Sequence, residues 1–169
     1  PWLFLGFGQS DLRACGRAGA KDDEALAMWR STVDKRGTAQ VLLAIARMQQ
    51  RRSQFQLALN QFYAAEELFE QMGDTIELAS SHGGIAAIYM EMGQYQNAVQ
   101  FWNLALRSFE EAELYTYVPD LLENLGLAKL ALNDPDGALV HFNRALILSR
   151  QSGNTFGYAL ALRDLGYAR

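Results

Sequence analysis

A single cysteine, Cys15, leaves this chain without an internal disulfide, and it points mildly to a reducing, cytoplasmic setting. The only histidines, His82 and His141, stand too far apart in sequence for the clustered spacing of a structural zinc site, so no metal and no cofactor is expected. No apolar run approaches the roughly 18 to 20 residues that cross a bilayer. The greasiest stretch, Pro1-Trp2-Leu3-Phe4-Leu5-Gly6-Phe7, is far too short, and it lacks the basic flank of a signal peptide. A net charge of -4 disfavours general binding to a phosphate backbone, so no nucleic-acid partner is expected apart from a brief basic segment at Arg47, Arg51 and Arg52.

Hydrophobic residues are plentiful. They make up 50% of a 169-residue chain, enough to bury a substantial core without staples. Charge is distributed unevenly: through Asn60 the Lys/Arg residues outnumber Asp/Glu by nine to five, and from Gln61 onward the acids lead by fourteen to six. On a linear fold such a bias becomes a gradient able to orient an oppositely polarised partner, although solvated helix faces of uneven composition are the preferred account.

The strongest pattern is internal repetition with a period of 40 residues. Ala58, Ala98 and Ala138 fall on it, as do Phe62, Trp102 and Phe142, then Ala65, Ala105 and Ala145. A second set runs Ile45, Ile85, Leu125 and Leu165, with Ala46, Ala86, Gly126 and Gly166 beside it. Within each unit, apolar residues recur three and four apart on both sides of a short polar break, which predicts two helices. Gly93 is a natural left-handed stop, while Asp134 and Pro135 suit an N-cap and a first helical position. Gly73 and Gly153 are expected to end second helices; Glu113 holds the intervening place, so that turn is expected to be made differently. Small residues at the 46/86/126/166 column allow close helix approach and the aromatic column fills the wider gap. One unit cannot bury its face alone, so stacking must complete the core.

These columns resemble the tetratricopeptide repeat, over Thr38 to Arg169. The resemblance implies an all-α, right-handed α-solenoid of antiparallel helix pairs, with repeats at 38–77, 78–117, 118–157 and a partial unit at 158–169. The usual family unit is 34 residues, so a period of 40 marks a long variant, similar to regulator sensor domains and adaptor scaffolds. HEAT and armadillo repeats share the longer period and are the alternative. Residues 1–37 fit less well: Asp22 to Arg36 reads as a helix with acid at its start, and residues 1–20 as an irregular or degenerate first helix. Pro1 and Arg169 both look like cut ends of a longer protein, the latter falling inside the first helix of a fourth unit.

A catalytic constellation is missing from the sequence. His82 shares a column with Leu42, Leu122 and Leu162 and reads as a packing residue; His141, beside Phe142, reads as exposed; Cys15 has no neighbour to activate it. Gly83-Gly84 lies within a helical pattern with no strand before it and no Lys-Ser/Thr after it, which excludes a phosphate loop. Glu66-Glu67 and Glu110-Glu111 read as solvated faces, and the chain as a binding module, not an enzyme.

The resemblance implies a concave surface lined by the first helix of each unit. By register the lining comprises Gln40, Leu43, Arg47 and Gln50, then Ser80, Gly83, Ala87 and Met90. It continues with Asp120, Glu123, Asn124, Leu127 and Leu130, and closes with Leu160, Arg163 and Tyr167. Such a floor runs from basic, through small and apolar, to acidic. Gly83, Ala87 and Met90 offer little bulk, which suits a protein or peptide partner held as an extended strand or inserted helix; Gly83 otherwise reads as relief of crowding. Family members that grip the Hsp70 and Hsp90 tails use a carboxylate clamp. Its positions here carry Leu43, Arg47, Gly84, Asp120 and Asn124, so the clamp is absent. The function expected is a partner-holding scaffold, or alternatively a ligand- or peptide-sensing segment of a larger signalling or transcriptional regulator.

Overall fold

The computed structural model describes residues 35–167, and among these every regular element is an α-helix. Seven run in succession: α1 (Lys35–Arg51), α2 (Phe55–Met72), α3 (Thr75–Glu91), α4 (Tyr95–Glu111), α5 (Val118–Ala131), α6 (Pro135–Gln151) and α7 (Thr155–Tyr167). The helix expected from Asp22 lies outside the described residues except for Lys35 and Arg36, which open α1. The irregular segment 1–20 and Cys15 lie outside them as well.

The breaks between helices obey a rule that holds along the whole described chain. Ser53, Gly73, Gly93, Glu113, Asn133 and Gly153 have φ of 57°, 67°, 73°, 56°, 59° and 70°, one left-handed residue every 20 positions. At five of these turns the next N–H donates to the carbonyl five residues back: Gln54 to Gln49, Gln94 to Tyr89, Leu114 to Phe109, Asp134 to Lys129 and Asn154 to Ser149, at 2.8–2.9 Å. These five helices thus end in a Schellman-type turn, which satisfies carbonyls that would otherwise be orphaned. Glu113 adopts the left-handed conformation of its glycine counterparts at a steric penalty. The connection after it is made differently, as expected: α4 ends at Glu111 and α5 starts only at Val118, and the N–H groups of Tyr117 and Val118 donate to the Leu114 and Tyr115 carbonyls.

Several helices are opened by a side chain. Asp74 accepts from the Glu77 N–H at 3.3 Å, Asp134 from Gly137 at 2.9 Å and Asn154 from Gly157 at 2.9 Å. Pro135 follows its cap at the first helical turn, where a missing N–H costs nothing.

The chain forms two compact units that divide between Gly73 and Asp74. In the first, α1 packs on α2, and Leu42, Ile45, Ala46, Ala58, Leu59 and Phe62 are buried. In the second, α3 packs on α4, α4 on α5, α5 on α6, and α7 against both α6 and α5. The repeat columns are its interior: Ala98, Ala138, Phe142, Ala105, Ala145, Ile85 and Leu125 have no exposed surface, and Trp102 is 3% exposed. Gly126 shows how tight the seam is. A Cβ added there would lie 2.6 Å from Phe142 Cδ1 and 2.7 Å from Cζ, so the ring occupies the space an alanine would need. Leu162 departs from its column at 47% exposure, because no helix among the described residues follows α7 to cover it.

Candidate functional site

The lining residues expected from register fall on the first helix of each pair. Gln40, Arg47 and Gln50 lie on α1 in the first unit, with Gln40 and Arg47 exposed and Gln50 partly so. Leu43 differs from its expected place on the floor. It is 4% exposed and belongs to the core of the α1–α2 pair.

In the second unit Ser80, Gly83, Ala87 and Met90 are all half-buried, and their three- and four-residue spacing puts them along one stripe of α3. Ser80 donates to the Ile76 carbonyl at 3.2 Å and so presents its methylene and oxygen lone pairs outward. Ala87 and Met90 pack against the edge of the core. Gly83 faces open space: among the described residues an added Cβ would meet no atom within 4 Å beyond its own helix backbone. Crowding therefore does not require this glycine, although it weakens the helix by about 1 kcal/mol relative to alanine.

On α5, Asp120 is exposed, Asn124 half-buried and Leu127 37% exposed, whereas Glu123 is only 8% exposed. Glu123 occupies the register of buried Leu43, half-buried Gly83 and exposed Arg163, so its depth belongs to its own surroundings and not to the register. On α7, Arg163 is exposed and its Nε donates to Asp164 Oδ1 at 2.6 Å, while Asp164 itself is 2% exposed. Leu160 is half-buried, and Tyr167 is the last residue of α7. Burial first, then the neighbouring charges of Asp120 and Asp164, push the Glu123 carboxyl up to about 7, with Arg163 pulling the other way. The structure thus brings Asp120, Glu123, Arg163 and Asp164 into one electrostatic group.

Asp164 was missed by sequence reasoning. Its adjacency to Arg163 looks like an ordinary solvated pair, but its column neighbours Leu165 and, one period earlier, Leu125 are interior positions. A charged residue beside that stripe was the available signal.

The two histidines behave differently from each other. His82 is 8% exposed and tilts against Phe101 at 5.9 Å between ring centroids, a packing position as its column predicted. His141 corrects its reading as exposed. It is half-buried, and burial, helped by the charges of Lys129 and Arg144, holds its imidazole below the ordinary range. Among the described residues, no group of three or more His, Cys, Asp or Glu side chains is arranged to hold a metal, and no helix is long and apolar enough to cross a membrane. A shallow cavity of about 360 Å³ lies at the α6–α7 turn, lined by Ser149, Arg150, Gly153, Asn154, Thr155 and Tyr158, none of them on the α3 stripe.

Residues 77–151 match the family model of the tetratricopeptide repeat. Comparison with curated protein sequences gives no match. Among solved structures the chain resembles the apo form of RapI (22% identity, TM-score 0.72), covering 79% of this chain and 48% of that one. Aspartyl phosphate phosphatase F from Bacillus subtilis is similar at 19% identity and TM-score 0.73, over 78% of this chain and 35% of that one. A kinesin light chain of Podosopora anserina with nearly identical TPR-like repeats aligns at 14% identity and TM-score 0.77, over 95% of this chain and 84% of that one. At these identities the likeness is one of fold. The chain spans about half or less of the length of RapI and the phosphatase.

Proposed function

Since residues 77–151 are tetratricopeptide repeats, and the chain is thereby a tetratricopeptide-repeat protein, we propose that it is a protein-interaction scaffold that holds a peptide or helical segment of a partner along the stripe of α3, α5 and α7. Gly83 carries the reading. A glycine in the middle of a helix costs stability, and here neither backbone conformation nor packing asks for it. What it supplies is access to the helix backbone, so that a partner's main chain can approach more closely than over any side chain. Met90 and Leu127 offer adaptable apolar contact on either side, and the acidic group of α5 and α7 gives the stripe a direction. The same acidity, at Asp120 and Glu123, argues against a partner ending in a clamped carboxylate.

Selection of peptides from a display library on the whole chain tests this. Selected peptides are expected to lose at least tenfold in affinity when Gly83→Gln fills the stripe, and to be indifferent to Gly93→Ala at a turn. Peptides that bind Gly83→Gln as well as the parent chain, or a failure to select any, would refute it.

A second reading follows from the lengths of the similar structures: the helical segment serves inside a larger regulator, as its span of 48% of RapI and 35% of aspartyl phosphate phosphatase F allows. A change in α3–α5 packing on peptide binding, read by hydrogen exchange, supports it; unaltered protection refutes it.

A further inference from the structure

Two carboxylates in the second unit are buried more deeply than their partners justify. Asp164 is 2% exposed and Glu123 8% exposed, on facing parts of α7 and α5. Asp164 uses one oxygen: Oδ1 accepts from Arg163 Nε. Its other oxygen, Oδ2, and Glu123 Oε1 are each buried with no hydrogen-bond partner among the described residues. Buried acceptors are almost always satisfied, and a carboxylate without a donor is the least tolerable exception. The local charge does not balance either. Asp120 and Asp164 both act on Glu123, and among the described residues only the Arg163 guanidinium acts against them. Lys129 pairs with Asp134 at 2.9 Å, and Arg144 with Glu110, so these two cations are engaged elsewhere.

We propose that Glu123 and Asp164, with Asp120 at the rim, form a subsite that takes the basic side chain of a lysine or arginine from the bound partner segment. The location rests on the groove reading above; the chemistry rests on the two unpartnered oxygens. Both carboxylates belong to the first-helix layer that carries the Gly83 stripe, so a segment following that stripe meets them. A guanidinium or ammonium has the donors that Oδ2 and Oε1 lack, and its desolvation is offset by acids already stripped of water. Arg163 is 53% exposed at its side chain, placed to flank the entering cation from outside. Binding is coupled to a proton, because Glu123 must be ionised to receive a cation. The charges that act on it are Asp120 on its own helix and Asp164 and Arg163 on α7. With a carboxyl near 7, the ionised fraction rises between pH 6 and pH 8, and affinity is expected to rise about tenfold with it.

The probe is Nα-acetyl-arginine amide, with Nα-acetyl-lysine amide as the second cation and Nα-acetyl-citrulline amide as the neutral isostere. Each is titrated into the whole chain and followed by amide and side-chain carboxyl NMR shifts. The cations are expected to shift the resonances of Glu123 and Asp164 and to lower the titration midpoint of Glu123, with tighter binding at pH 8 than at pH 6. Citrulline is expected to do neither. Glu123→Gln keeps the shape and should weaken the arginine probe at pH 8 and abolish its pH dependence; Asp164→Asn should weaken it similarly. Asp120→Asn, at an exposed position that leaves the fold untouched, should weaken it by a smaller factor of about two to three. Equal shifts from citrulline and arginine, or cation binding that is flat with pH, overturn the subsite. Because the probe carries no peptide to lie along α3, its binding stands if the display selection fails. Conversely, selected peptides without a basic residue, unaffected by Glu123→Gln, would leave the groove standing and remove the subsite.

Discussion

The same substitution, glycine to alanine, should have opposite effects at two positions, one in α3 and one in α5. Both Gly83 in α3 and Gly126 in α5 are helix-interior residues, so replacing either by alanine gains about 1 kcal/mol of helix propensity. At Gly83 nothing opposes the gain, since the new methyl meets no atom within 4 Å. At Gly126 the methyl would lie 2.6 Å from Phe142 Cδ1. Phe142 has no exposed surface and is packed with Ala138 and Leu165, with Leu130, Leu139 and Leu146 around them, so the ring has nowhere to retreat and α6 must move off α5. Overpacking of this kind costs about 1–3 kcal/mol. Gly83→Ala is therefore expected to stabilise by about 1 kcal/mol, and Gly126→Ala to destabilise by as much as about 2 kcal/mol after the propensity gain. The difference between them, about 1–3 kcal/mol, isolates the steric term. For a chain of this size it separates the two melting midpoints by about 2–12 °C. Urea unfolding monitored by circular dichroism at matched slope measures it. Equal stabilities of the two variants would refute the account of the α5–α6 seam.

Glu113→Gly should stabilise by about 1 kcal/mol, since it removes a left-handed penalty without touching a helix, whereas Gly93→Ala should cost a similar amount; thermal melts of both variants check the pair. Glu123→Gln should be more stable than the parent at pH 8 and about equal to it below pH 4.5. The folded carboxyl is raised from 4.5 to about 7, so its contribution is present when protonated and is lost as pH rises through that window; chemical unfolding at the two pH values reads the difference. Ala98→Leu and Ala138→Leu, each at a position with no exposed surface, should overpack a helix crossing and cost about 1–3 kcal/mol, measurable in the same unfolding experiment.

The repeat columns were legible because every one of them serves packing, and packing imposes the same volume at the same place in each unit. Ala58, Ala98 and Ala138 meet the same crossing, so composition alone marks it. The left-handed conformation of Glu113 was not legible. Residue preference argues against a left-handed glutamate, but the helices on either side are fixed by their cores, and the connecting residue must adopt whatever conformation joins them. The acidic subsite was half legible: Asp120 and Glu123 follow from register, while Asp164 is hidden by standing next to an arginine in sequence. The half-burial of His141, on which Lys129 of α5 acts, comes from how α6 packs in the unit and is invisible in a linear pattern.

The even spacing of left-handed residues limits how this chain can change length. An α-helix turns about 100° per residue, so one residue inserted between two such positions swings every apolar side chain after it off the seam. Only the short stretches around Ser53, Gly73, Gly93, Glu113, Asn133 and Gly153 can absorb an extra residue without that rotation. Growth by one helix reverses which face comes next, and growth by two restores it. The smallest duplication that leaves all neighbours compatible is therefore a pair, and an engineer lengthening the protein should cut at the left-handed turns and add helices in twos.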